Sequence, residues 1–211
     1  MPTALPLAPP CAGPTTPVVA PSLHLHDVHD ARRAEVEQFI RTVYAERFDA
    51  RPQHFAPQLV SLRDGEGRIV AAAGYRFAGS TALFLERYLD TPIEAALARQ
   101  AAATPSREGI VEVGHLAAAR AGEGRRLILA LGPHLAARGA QWVVSTLTEE
   151  LRHLFVRIGV TPLALGVADP ARLGEDLGDW GRYYEHRPVV LAGHLPAALR
   201  ILARRQRGEA R

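Results

Sequence analysis

The stretch Ile110–Arg126, IVEVGHLAAARAGEGRR, decides the fold. Its first part is β-branched and apolar and reads as a buried strand over Ile110–Ala118. The loop Arg120–Gly124 follows, and a helix begins at Glu123 and runs to about Arg138, where Gly139 closes it. A strand leading through glycines into a helix gathers backbone N–H groups at one point, beside the positive end of the helix dipole, so the arrangement suits a phosphate. Gly122 and Gly124 shape the turn, while Arg120, Arg125 and Arg126 add full charges. Glu112 lies one strand length upstream, where a ligand anchored at the loop would present its far end to a carboxylate. A glutamate in an apolar strand is costly unless it is paired or functional, so Glu112 reads either as a general base or as a structural hydrogen-bond acceptor. His115 has the opposite parity in a regular strand, and a bulge at Gly114 would bring both side chains to one face.

Outward from this unit, Val36, Phe39, Ile40 and Val43 form one apolar face of a helix over Ala31–Phe48. Gln58–Arg63 and Arg68–Phe77, joined by the turn Asp64–Gly67, read as a hairpin, with Thr81–Leu89 as a third strand. Thr91-Pro92-Ile93-Glu94 opens a helix over Pro92–Ala103, with Thr91 as its cap. Downstream, Gln141–Ser145 reads as a strand and Thr146–Gly159 as a helix, with Thr146 either its cap or a ligand contact. Pro133 should kink the helix before them. Leu163–Ala168 and Val189–Ala192 read as short strands around the irregular segment Asp169–Pro188, and Ala197–Arg205 as a basic helix.

Composition sets the class. The 211 residues are 47% hydrophobic, and every one of the 25 basic side chains is arginine, for a net charge of +3. That balance does not point to nucleic acid, and no apolar run is long enough to span a membrane. The single Cys11 excludes an internal disulfide framework and a cysteine zinc cluster, and no metal site is expected. Residues 1–22 read as a disordered Pro-rich tail without a signal-peptide pattern, 23–195 as one domain, and 196–211 as a basic helix or tail, on a cytoplasmic protein.

This order of elements resembles the GNAT acyltransferase layout, an α/β fold with a mixed, mostly antiparallel sheet flanked by helices and a pyrophosphate loop after its fourth strand. VEVGHL and VVSTLTEELRHLFVRIGV are similar to the matching strands and helix of acyl-homoserine lactone synthases. LFLERYLD at Leu83–Asp90, VEVGHLAA at Val111–Ala118 and WGRYY at Trp180–Tyr184 resemble the thermostable hemolysin family. Two positions depart from these patterns: Ala119 stands where GNAT loops carry arginine or glutamine, and His115 where the lactone synthases carry arginine.

The resemblance implies an acyltransferase moving a fatty acyl group from acyl-CoA or an acyl carrier protein to a small-molecule amine. It implies a sheet splayed between the fourth and fifth strands, with Glu112 as base, His115 assisting, and backbone N–H groups at Leu116–Ala117 polarising the thioester carbonyl. Arg120, Gly122, Gly124 and Arg125 would hold the phosphates. The usual tyrosine acid has no match, since Thr146–Gly159 contains no tyrosine, which leaves Tyr184 as the candidate proton donor. Arg76 and Glu86 read as neighbours, either ion-paired across the hairpin or touching substrate. Two readings from other classes stay open: a catalytically inactive GNAT-fold binding module, and a membrane-active hemolysin.

Overall fold

The computed structural model describes residues 22–100 and 104–209. The expected tail up to residue 21, with Cys11, and residues 101–103 of the second expected helix lie outside the described residues.

The described elements run β1 (Leu23–His26), α1 (Arg33–Phe48), β2 (Gln58–Arg63), β3 (Ile69–Phe77), α2 (Ile93–Ala98), β4 (Ile110–Ala118), α3 (Glu123–Ala136), β5 (Trp142–Leu147), α4 (Glu149–Ile158), β6 (Leu163–Val167), β7 (Val189–His194) and α5 (Leu195–Glu209). The strands form one sheet in the order β1-β2-β3-β4-β5-β7-β6. Only β4 and β5 pair in parallel; every other neighbouring pair is antiparallel. This is the mixed, mostly antiparallel sheet expected from the sequence.

The alternation of each strand splits the core into two layers. Val60, Leu62, Ala71, Tyr75 and Val111 pack with Leu127, Leu131 and Leu135 of α3 on one face. Leu59, Ala72 and Ala117 pack with Val36, Ile40 and Tyr44 of α1 on the other. α5 closes the α3 side through Leu195 and Leu199. The α3 helix runs through Pro133 to Ala136, so the proline is accommodated inside the last turn.

Three expectations are corrected. Thr81–Leu89 is not a strand: Phe84–Tyr88 is a 3₁₀ turn whose first N–H groups bond to carboxylates, Leu83 to Glu86 and Phe84 and Leu85 to Glu112, instead of to a neighbouring strand. The Ile110–Ala118 strand is nevertheless fourth in the chain, because Leu23–His26 pairs with β2 as an edge strand that the sequence reading assigned no structure. The second helix is short and starts at Ile93, with Pro92 rather than Thr91 at its N-cap. Thr146 lies inside β5, and Thr148 precedes α4.

Candidate active site

The site arises where two neighbouring strands part. β4 and β5 are paired only from Ile110–Glu112 to Trp142–Val144. Beyond Glu112, β4 continues along β3 while β5 stays with β7, and a wedge opens between them. A cavity of about 80 Å³ fills its base, lined by Glu112, Gly114 and His115 of β4 and Ser145 and Thr146 of β5. Tyr44, Phe84, Trp180 and Tyr184 supply its aromatic walls.

A bulge sets which side chains enter this cavity. Gly74 pairs with Gly114 but Ala72 with Ala117, so His115 and Leu116 together oppose Ala73. His115 absorbs the irregularity with a φ of 53°. The extra residue puts His115 on the α1 face with Glu112, while Leu116 packs toward the α3 layer. Gly74 makes room for the ring: a Cβ there would sit 2.9 Å from Ala56 Cβ and 3.4 Å from His115 Nδ1. Leu116 and Ala117 leave the bulge with no β5 backbone beside them, and Leu116 lines both the cavity and the groove beyond.

Glu112 is 7% exposed. Its Oε1 accepts the Leu85 N–H at 2.9 Å and its Oε2 the Phe84 N–H at 2.8 Å, and the Arg76 Nε stands 3.4 Å from Oε2. Burial still wins over these partners and holds the carboxyl above its ordinary pKa. His115 packs against Phe55 and lies nearly parallel to Trp180. Burial, helped by Arg76, brings its pKa down to about 4, so the imidazole is neutral at pH 7. Among the described residues its buried Nδ1 has no hydrogen-bond partner, and neither has the Thr146 Oγ1. The Tyr184 hydroxyl shares a hydrogen bond with that of Tyr88. Burial pushes the Tyr88 hydroxyl up to about 12 and Tyr184 higher still, so both are protonated donors at neutral pH.

Arg76 stands directly across the β3–β4 ladder from Glu112 and lines the cavity. Glu86 does not, which corrects two expectations at once. Its partner is Arg107, at 2.8 and 3.1 Å, and it also accepts the N–H groups of Leu83 and Ile93. Burial alone would raise its pKa, but Arg107 and the two N–H groups outweigh it and bring the value to about 2. Glu86 thereby ties the 3₁₀ turn to the start of α2, and lines neither the cavity nor the groove beyond it.

The expected phosphate loop borders a groove of about 670 Å³ that continues from the cavity. Arg120, Gly122, Gly124 and Arg125 line it, joined by Arg157, by Arg47 in an ion pair with Glu150, and by Glu46, so that arginines outnumber carboxylates along its walls. Gly122 holds the left-handed conformation, φ 91°, at the α3 N-cap. Arg120 and Arg125 are exposed and have no carboxylate partner among the described residues, whereas Arg126 is turned onto Glu123 at 2.9 Å. On the opposite side of the wedge an apolar chamber of about 100 Å³ runs between α3, α4 and α5, lined by Ile128, Leu131, Phe155, Leu199 and Leu202. Val113, Ser145, Leu147 and Phe155 are common to the chamber and the cavity.

Apart from Tyr184, the aromatic walls are what the residue-by-residue reading missed. WGRYY was visible as a motif, and its glycine was the signal. Gly181 adopts φ 47°, ψ −123°, and a Cβ there would sit 2.3 Å from the Asp49 carbonyl oxygen. Arg182 donates its N–H to Phe48 O at 2.6 Å, and Arg51 to Asp179 O at 2.7 Å, so the motif is laid directly on the C-terminus of α1. That contact brings Trp180 within 6.3 Å of Tyr44 and 5.6 Å of Phe84, ring to ring.

Among the described residues no helix is long and apolar enough to cross a membrane. The chain is similar in structure to BjaI, a CoA-dependent acyl-homoserine lactone synthase solved with SAM and isopentyl-CoA, with a TM-score of 0.60, 15% identity, and coverage of 88% of this chain and 89% of that one. TofI in an apo form gives a TM-score of 0.58 at 19% identity, covering 84% and 95%. FeeM, an N-acyl amino acid synthase from uncultured soil microbes, gives 0.56 at 14% identity, covering 85% and 94%. At such identities the likeness establishes a shared GNAT-like fold. No curated protein matches the chain in sequence. The profile of the family described as Thermostable hemolysin matches residues 26–199, including the strand, bulge, loop and WGRYY segment that build the site, and the chain belongs to that family.

Proposed function

We propose that this protein is an N-acyltransferase that takes a fatty acyl group from acyl-CoA or an acyl carrier protein and passes it to an amine. The observation that carries the reading is the wedge between β4 and β5, where a basic groove, a cavity holding a buried carboxylate and an apolar chamber follow one another and share walls. A phosphopantetheine thioester needs those three environments in that order. Its phosphate would meet Arg120, Arg125 and the N–H groups at Gly122–Gly124, its thioester would reach the bulge, and its acyl chain would be buried between α3 and α5.

The protein's own groups then have distinct tasks. Glu112 would take a proton from the amine, directly or through water, and burial shifts its pKa in the direction that strengthens it as a base. Backbone N–H groups at Leu116 and Ala117 would stabilise charge on the thioester oxygen. Neutral His115 would help position the acceptor, with Thr146 as a further contact, and Tyr184 would return a proton to the departing thiolate.

The test is donor binding. Acyl-CoA or acyl carrier protein should raise the melting temperature of the purified protein, and Gly124→Glu should remove the effect by placing a negative charge in the phosphate groove. The substitution is sterically mild, since a Cβ at Gly124 meets only Ala118 at 3.6 Å. A folded wild-type protein that no thioester donor stabilises would overturn the donor site.

A further inference from the structure

Two opposite charges stand side by side in the cavity, and one of them keeps donors to spare. Glu112 accepts two backbone N–H groups. Arg76 is 20% exposed, faces the same cavity, and its ionic contact is the single 3.4 Å approach of Nε to Glu112. Among the described residues no group accepts a hydrogen bond from its guanidinium, whose five N–H donors always carry charge. The N–H groups that Glu112 does not engage are of the kind that bind a planar anion from outside the chain.

Glu112 restricts what that partner can be. A ligand with only negative charge would be repelled by the carboxylate 3.4 Å away, and a simple amine would satisfy Glu112 while leaving Arg76 bare. A ligand carrying an ammonium and a carboxylate on one carbon matches both. Its remaining substituent would face Phe84, Trp180 and Tyr184, which line the same space, with Arg87 stacked over Phe84 at 4.1 Å. That wall favours an aromatic or large apolar side chain.

We infer that the acceptor is a free α-amino acid with an aromatic or large apolar side chain, its carboxylate held by Arg76 and its amine presented to Glu112. This rests on the acyltransferase reading above. The step balances: the amine first loses a proton through Glu112, its nitrogen lone pair then attacks the thioester carbonyl, the C–S bond breaks with its electrons on sulfur, and a second N–H proton goes to the thiolate. The products are an N-acyl amino acid and a free thiol.

The experiment compares L-phenylalanine with 2-phenylethylamine, which lacks only the carboxylate, as acceptors for a long-chain acyl-CoA, with products identified by mass spectrometry. Wild type should prefer phenylalanine by about 10²-fold or more in kcat/KM, because the amine offers nothing to the remaining N–H groups of Arg76. Arg76→Gln should collapse that ratio, mainly by raising KM for phenylalanine, and Arg76→Lys should restore part of it; melting curves establish that each variant is folded. A ratio near one in wild type, or acylation of phenylethylamine in preference, overturns the inference. If acyl-CoA stabilises the protein but phenylalanine is neither acylated nor bound in calorimetry with coenzyme A present, the acceptor assignment fails while the donor site stands. If no donor binds, the acyltransferase reading fails, and calorimetry of phenylalanine against phenylethylamine alone decides whether Arg76 holds a carboxylate.

Discussion

Glu112 has two jobs at one position. Its oxygens cap the 3₁₀ turn that carries Phe84, yet burial keeps its pKa high and the cavity reaches it. Glu112→Gln preserves the shape and one acceptor oxygen but removes the base. Acyl transfer, followed as free-thiol release, should fall by roughly 10²–10⁴-fold while the melting transition survives. In wild type the acid limb of kcat should lie above the ordinary glutamate value of 4.5, since activity disappears as pH falls through the raised pKa. Equal rates for the two proteins would remove Glu112 from the chemistry. His115 shows the opposite displacement. Its folded pKa of about 4 lies below the ordinary 6.5, so between those values the unfolded chain binds a proton that the folded one refuses. The stability it supports is complete above pH 6.5 and drains as pH falls toward 4. His115→Gln should therefore flatten the fall of the denaturation midpoint over that window, and an unchanged slope would show that the imidazole is not held neutral.

At the scale of elements, the site depends on irregularities more than on strands and helices. The β4 bulge reverses the parity of His115, and the 3₁₀ turn at Phe84–Tyr88 replaces an expected strand because Glu86 and Glu112 satisfy its N–H groups. The WGRYY segment is placed by Gly181, whose backbone lies against the last carbonyls of α1. Gly181→Ala must relieve a Cβ set 2.3 Å from Asp49 O in a conformation that only glycine adopts readily. We expect it to cost about 3 kcal/mol in chemical denaturation, or to displace the segment and change Trp180 fluorescence. A variant with wild-type stability and emission would contradict that placement.

At the scale of the whole molecule, the open sheet is split so that a basic groove and an apolar chamber meet at one carboxylate, and the chamber's size should set the acyl chain. Gly132 of α3 lines the chamber, with Leu199 of α5 3.2 Å from where its Cβ would stand. Gly132→Val should shorten the preferred chain, each methylene excluded weakening donor use by about fourfold, which corresponds to ~0.8 kcal/mol per buried CH₂. A series of acyl-CoA lengths checks this, and an unchanged profile would place the acyl chain elsewhere. Apart from the unread edge strand Leu23–His26 and the turn at Phe84–Tyr88, read as a strand, the order of elements, the glycine loop opening a helix and the upstream carboxylate were legible in the sequence, because periodicity, glycine and helix-start signals are local. Arg76 beside Glu112, Glu86 bound to Arg107 and the aromatic walls around the cavity were not. Each joins residues distant in the chain, and their pairing is set by strand register, by one bulge and by the docking of Gly181 onto α1. The sequence by itself determined which chemical groups the protein possesses and the elements that carry most of them; only the tertiary structure decided which of those groups face one another, because register and close packing are properties of the folded sheet and not of any one segment.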